Sequence, residues 1–286
     1  MPGTIAQPVS ADRPPFLWRI YPYCYDLGVT RLAPYRQLQR DIVAAVRSHL
    51  RPRGHLDHAR LDLLDVCCGT GNTLAALMRL SRHAQAVGLD FSPRMLDHAE
   101  RKCRRLGRLR LIAAPAASGL SALPPSAFDV VTLCNGLYPL SDRLGVLREI
   151  RRVIRDDGVF VLTDPVAGAR LSWLLRHHLE EEGPGGIGSL PLLFASAVLS
   201  RLIERHPAHR FCQVAEIKRL VHQAGFEVTS ETASYGGANL LVACRPTAIS
   251  SAAAGVSQSF HSVGAVHPGR DSGPRRGRAR ARDATL

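Results

Sequence analysis

Apolar and polar residues recur along this chain in two alternating periods. Residues 61–67 (LDLLDVC) are a short, nearly continuous apolar run closed by a glycine turn, as in a buried strand. Over 73–82 the apolar positions Leu74, Leu77 and Met78 fall at helical spacing. AVGLD (86–90) reads as a second strand, and Ser92-Pro93 as a helix start with a Ser cap and Pro at the first helical position. Met95, Ala99, Cys103 and Leu106 line one face of that helix, and its basic residues are expected to look outward. LRLIAA (109–114) and FDVVTLCN (128–135) predict strands three and four. A helix over 142–155 is expected to stop at Asp157-Gly158, before strand five, VFVLTD (159–164). After a divergent stretch come helix 214–224, its Gly225 cap, strand FEVTSE and strand NLLVAC (239–244), with Gly236-Gly237 as a hairpin cue. This alternation predicts an α/β fold: a doubly wound, Rossmann-like seven-stranded sheet, mostly parallel with an antiparallel last strand.

The organisation expected is an N-terminal helical cover over 1–58, a main domain over 59–246 carrying an apolar insert at 165–210, and a tail over 247–286. Residues 250–286 are rich in Ser, Ala, Gly, Pro and Arg, with Phe260 as sole aromatic, so that segment cannot bury enough surface to order itself. The chain has 286 residues and a formal net charge of +13, which first suggests nucleic acid or an anionic surface as partner. Only Lys102 and Lys218 are lysines, so an arginine-heavy coding bias explains the excess equally well. Seven scattered cysteines without a C-x-x-C pair give no metal site and no disulfide framework. The start lacks a basic region followed by an apolar core, and the longest apolar run, Leu190 to Ile203, is short for a membrane span. A cytoplasmic protein is expected.

The chemistry concentrates in LLDVCCGTGNTL (63–74). A strand ending at Asp65, a tight glycine turn and a helix start suit close backbone approach to a ligand at a helix N-terminus. Asp90, at the end of the next strand, stands where an acid would hold ribose hydroxyls. A dinucleotide turn needs a third glycine where Asn72-Thr73-Leu74 stands, and a P-loop needs Gly-Lys-Ser/Thr, which is missing.

The segment resembles the D-x-G-x-G-x-G turn of class I S-adenosylmethionine-dependent methyltransferases, with Asp65 at the acid, Gly69 and Gly71 at the later glycines, and Cys67 in place of the first. VGLDFSPRMLDHAERK (87–102), FDVVTLCNGLYPLSD (128–142), LREIRRVIRDDGVFVLTDP (147–165) and AGFEV (224–228) resemble later motifs of the family at family spacing. DVCCGTG, the NGL turn and the PYRQL segment are most like ubiquinone/menaquinone-biosynthesis-type small-molecule methyltransferases. The resemblance implies S-adenosyl-L-methionine as cofactor. It implies contacts from Asp65, Cys67, Gly69, Gly71 and Asp90, from Phe91 or Met95 beside the adenine, and from Pro115, Ala116, Cys134 and Asn135. Where the family usually has Asp-Ala or Asn-Ala after the third strand, this chain reads AAPAASGL (113–120), so adenine would be held by backbone and apolar contacts alone.

Methyl transfer from a sulfonium asks mainly for positioning, and no catalytic residue is assigned. The acceptor is expected to be a hydrophobic small molecule such as a quinone, a phenol, a lipid or a secondary metabolite. It would be walled by the N-terminal segment and by the insert, with its Trp173, Leu174, Leu190, Leu192, Leu193, Phe194, Val198 and Leu199. Ordinary core or a homodimer face is the other reading of that insert. Tyr25 is either the cofactor cover or a packing residue; Tyr138 either touches substrate or packs; Asp164 either orients an acceptor hydroxyl or caps. His177, His178, His206 and His209 lie in or beside the insert and are either a general base or, by default, surface residues; Cys67-Cys68 are read as neither redox nor metal ligands. Arg101 to Arg110 holds six cations and reads as a solvated helix face, although it is the best nucleic-acid patch available. Two rival functions stand beside the leading one: an RNA methyltransferase, disfavoured because CNGLYP replaces any N-P-P-[YF]-type motif, and a non-catalytic methyltransferase-like protein.

Overall fold

Strand β1 (Arg60–Val66) lies at the centre, paired on both edges, and its apolar residues are broken only by Asp62 and Asp65. It pairs in parallel with β2 (His83–Asp90) and with β4 (Phe128–Cys134); β2 pairs with β3 (Arg108–Ala113), and β4 with β5 (Ile154–Pro165). β7 (Asn239–Pro246) runs antiparallel to both β5 and β6 (Phe226–Ser234), giving the order β3-β2-β1-β4-β5-β7-β6. The computed structural model describes residues 26, 30–50, 58–168, 171–183, 188, 191, 194 and 209–247. The chain divides into two units, Met1–Ala248 and Ile249–Leu286; the tail lies outside the described residues, as do Tyr25, His206 and most of the apolar insert.

Each face of the sheet carries its own core. On one face Leu38, Ile42, Val46 and Leu50 of α1 (Ala33–Leu50) and Leu74, Leu77 and Met78 of α2 (Asn72–Met78) bury against Leu61, Leu63, Val159, Val161 and Leu241, joined by Cys103 of α3 (Pro93–Cys103). The other face is closed by α4 (Ala116–Ser121), α5 (Arg143–Val153) and α7 (Val214–Gln223), through Leu120, Leu147, Ile150, Ile217 and Val221. α6 (Leu171–Glu182) follows β5 and packs on α1 and on the 3₁₀ turn Tyr235–Gly237.

The sheet agrees with the sequence expectation in strand number, direction and the antiparallel end; the element limits move. β5 starts at Ile154, straight after α5, because Phe128 pairs with Ile154 while Ser126 and Ala127 donate to the carbonyls of Arg152 and Val153. Asp157-Gly158 therefore sits in an irregularity of that strand and does not end a helix. The α4 helix was not foreseen. Its Gly119 lies where a Cβ would overlap Leu89, which lets so short a helix settle on β2. The Ser92 cap holds: its side chain accepts from Met95 N at 3.5 Å.

Ile42 is fully buried where α1 crosses the sheet. Ile42→Ala should lower the unfolding free energy by about 2–5 kcal/mol in urea titration, the cost of a large-to-small change in a packed core. A loss under about 0.5 kcal/mol would mean that α1 does not cover this face.

Candidate functional site

The strand order reverses between β1 and β4, and ligands of open α/β sheets bind beyond the strand carboxyl ends at such a point. The turn leaving β1 is built for close approach. Cys67, Gly69 and Gly71 all take left-handed φ, at 57°, 52° and 77°. Cys67 is thus an L-residue where glycine would sit without strain, at a cost of about 1–2 kcal/mol, and its side chain fills the space beside Gly136. Among the described residues, apart from Gly69 and its chain neighbours, no heavy atom lies within 4 Å of where a Cβ on Gly69 would be, so the turn is open there. At Gly71 a Cβ would stand 2.8 Å from Ala99 of α3, so only glycine lets that helix close on the turn.

Asp90 ties the turn to the next strand. Its Oδ2 accepts from Gly69 N at 2.8 Å and its Oδ1 from Ser92 N at 2.9 Å. Ala114 N donates to the Asp90 carbonyl at 3.0 Å, which places Pro115 and Ala116 beside the same strand end. Asp65 is buried; Oδ1 accepts from Thr132 Oγ1 at 2.6 Å, and Oδ2 has no partner among the described residues. Burial pushes its carboxyl up to about 7, against the opposing pull of the Thr132 hydroxyl and, more weakly, of the Leu74 amide. Cys134 ends β4 with its thiol pushed up by burial, and Asn135 follows with φ 52°. The Asn135 side-chain oxygen accepts from Asn239 Nδ2 at 2.7 Å and Thr163 Oγ1 at 3.4 Å. Asp65, Cys67, Gly69, Gly71, Asp90, Pro115, Ala116, Cys134 and Asn135 are thereby collected along one edge. The two adenine-side candidates diverge: Met95 is buried under α3, whereas Phe91 is 56% exposed.

One group of residues escaped the sequence reading. Asp26 Oδ1 accepts from Thr70 Oγ1 at 2.6 Å, Lys102 Nζ at 2.6 Å and Asn72 Nδ2 at 3.3 Å, while Oδ2 faces His98 Nδ1 at 3.4 Å. Lys102 also donates to Asn72 Oδ1 at 2.6 Å, and Tyr35 Oη accepts from Asn72. Partial burial works to raise the Asp26 carboxyl, but Lys102, Thr70 and Asn72 hold it below the usual range. The solvated-face reading of 101–110 is therefore wrong for Lys102, which turns onto the glycine turn. The default surface reading also fails for His178, which is buried; its Nδ1 accepts from Ala33 N at 3.3 Å. His177 is half-exposed. Beside the same helix ends, Arg36 pairs with Glu182.

At the carboxyl end of β5 the buried Asp164 accepts from Leu137 N at 3.0 Å and Tyr138 N at 3.4 Å, so it caps the turn after β4; its other oxygen has no partner among the described residues. Burial pushes this carboxyl up to about 8.

Comparison with known proteins settles the family. Residues 64–162 match the family model of the methyltransferase domain. A demethylmenaquinone methyltransferase of Thermus thermophilus is 31% identical over 196 residues, 67% of this chain and 86% of that protein. Another, of Lysinibacillus sphaericus, is 31% identical over 180 residues, 61% of this chain and 74% of the relative. The chain belongs to the class I S-adenosylmethionine-dependent methyltransferases. The fold agrees: an S-adenosylmethionine-dependent methyltransferase structure from Clostridium acetobutylicum matches with TM-score 0.53 at 12% identity, covering 81% of this chain and 99% of that one.

In this methyltransferase the raised carboxyl of Asp164 sets a pH dependence. The folded chain keeps its proton up to about pH 8, whereas the unfolded chain releases it near the ordinary value of 3.8. Between those limits the folded state holds the extra proton, so the contribution of Asp164 to stability is greatest below about pH 4 and falls as pH rises to 8. Asp65 adds a fall of the same sign that ends near pH 7. Asp164→Asn should shrink the drop in thermal midpoint between about pH 5 and pH 8; an undiminished drop would mean that Asp164 ionises freely.

Proposed function

We propose that this methyltransferase transfers the methyl group of S-adenosylmethionine to a hydrophobic quinol-type acceptor. One observation carries the cofactor part: an open glycine turn, a buried acid and the Asp90 carboxylate meet at the sheet's switch point. The residues present fit such a ligand. Asp90 keeps a lone pair on each oxygen after its two backbone bonds, enough to accept from ribose hydroxyls. The space beside Gly69 admits a ligand against the backbone. Oδ2 of Asp65, without a hydrogen-bond partner among the described residues, is a buried acceptor suited to an ammonium group, and a cation there would draw off the proton that burial leaves on it. Pro115 and Ala116 offer the adenine only backbone and apolar contact, which supports weaker binding than an acid would give.

Bound S-adenosylmethionine supplies a sulfonium-activated methyl group, so the protein's part is alignment and exclusion of water. Asn135 and Gly136, held by Thr163, Asn239 and Cys67, fix the floor between the cofactor turn and β5. Asp26, Lys102, Thr70 and Asn72 tie the cover onto the turn. The acceptor class is supported by the relatives, which are demethylmenaquinone methyltransferases. A quinol suits the arrangement, since its ring carbon beside a hydroxyl is a nucleophile once the hydroxyl proton departs.

The test is incubation of the full chain with isotopically labelled S-adenosylmethionine and demethylmenaquinol, followed by mass spectrometry. A labelled product heavier by one methyl substitution is expected. Unchanged quinol from a protein that still binds S-adenosylhomocysteine would overturn the acceptor, and failure to bind the cofactor would overturn the reading altogether.

A further inference from the structure

Three aromatic rings meet beside the turn that leaves β4. Tyr138 stacks on Phe211 with centroids 4.9 Å apart and planes 12° from parallel, and His209 meets Tyr138 edge-on at 5.1 Å and 89°. All three residues are only half-buried, so they do not fill a core. Yet the backbone that carries them is fixed from three sides. Arg210 N donates to the Tyr138 carbonyl at 3.0 Å, and Ala167 N donates to the Cys212 carbonyl at 2.9 Å next to a bridge between Val166 and Cys212. Arg143 Nη2 donates to the carbonyls of Tyr138 and Arg210 at 2.9 and 2.7 Å, and its Nε to that of Leu137 at 3.1 Å. From within the sheet, Asp164 takes the amides of Leu137 and Tyr138.

The location gives this rigidity a use. Tyr138 lies three residues beyond Asn135, and its amide bonds Asp164 at the carboxyl end of β5, the strand on one side of β4; the cofactor turn leaves β1, the strand on the other side. A ligand seated over the end of β4 therefore has the cofactor turn on one side and the ring cluster on the other. Ligand sites are lined by aromatic side chains with a few placed polar groups, and rings prefer offset-stacked or edge-on partners.

We propose that Tyr138, Phe211 and His209 form the acceptor subsite, that it takes a flat aromatic ring system by stacking, and that Asp164 is the positioning residue that holds Tyr138 in it. The inference rests on the proposed methyl transfer to a quinol and narrows it: the subsite selects the planar head of the acceptor over any aliphatic part. Stacking is worth about two- to tenfold in affinity per ring pair beyond the area buried.

The experiment measures binding, not turnover. The full chain with S-adenosylhomocysteine present is titrated with 1-naphthol and with its saturated counterpart, decahydro-1-naphthol. The wild type should prefer the flat probe. Phe211→Leu and Tyr138→Leu should each weaken 1-naphthol by about fivefold, with the saturated probe and S-adenosylhomocysteine unaffected. Asp164→Ala should weaken 1-naphthol as well, and Asp164→Asn, which keeps an acceptor oxygen for the two amides, should restore it. Equal affinity for both probes, or flat-probe binding untouched by both ring variants, overturns the subsite. If a ring variant also loses S-adenosylhomocysteine, His209→Ala decides by the same criterion. Ring-dependent naphthol binding in a protein that never methylates a quinol keeps the subsite and removes the quinol; quinol methylation indifferent to the ring variants does the reverse.

Discussion

The architecture of the site depends on how closely helix α3 approaches the turn after β1. At Gly71 a side chain of even one carbon would collide with the Ala99 backbone and Cβ, and the residue's φ of 77° excludes most other residues on its own account. With that contact made, α3 brings Lys102 onto the turn, where it donates to Thr70 and Asn72, and sets His98 beside Asp26. Asp26 then closes the group from the N-terminal side. Gly88 serves the same closeness from below, since a Cβ there would stand 2.8 Å from Leu111 and 3.0 Å from Cys68 and Leu74. Cofactor turn, second strand and cover are thus one packed unit.

A second feature of the edge is its store of buried carboxyls. Asp65 and Asp164 each spend one oxygen on the protein and leave the other without a partner among the described residues, in surroundings that favour the protonated form. Buried polar atoms are ordinarily satisfied, so these two oxygens carry an unmet demand for a partner at the strand carboxyl ends. Asp90 differs: both of its oxygens hold backbone amides, and it welds the turn to α3's first residues.

Much of this was legible in the sequence, and the reason is local. The β1 turn, the Asp90 strand end and the Ser92-Pro93 cap are encoded by residues within about one supersecondary unit, where spacing maps directly onto geometry. Cys67 stands out as a departure from the family's first glycine, and its left-handed φ gives that departure a strain. What escaped were meetings across distant parts of the chain. Asp26 joins Lys102 over 76 residues, and His178 joins Ala33 over 145, so no periodicity signals either pair. Lys102 carried one hint, as one of two lysines in an arginine-rich chain. The basic excess was the least informative signal: its best patch lost Lys102 to the site.

On the proposed reading, the glycine turn and Asp90 hold the nucleoside of S-adenosylmethionine. Isothermal titration of S-adenosylhomocysteine into the full chain and into Asp90→Ala tests it most directly. Saturable one-to-one binding to the wild type, weakened about tenfold or more in the variant, is the predicted result, as befits loss of charge-assisted hydrogen bonds. Binding of equal strength to both proteins, or none to the wild type at millimolar ligand, would contradict it.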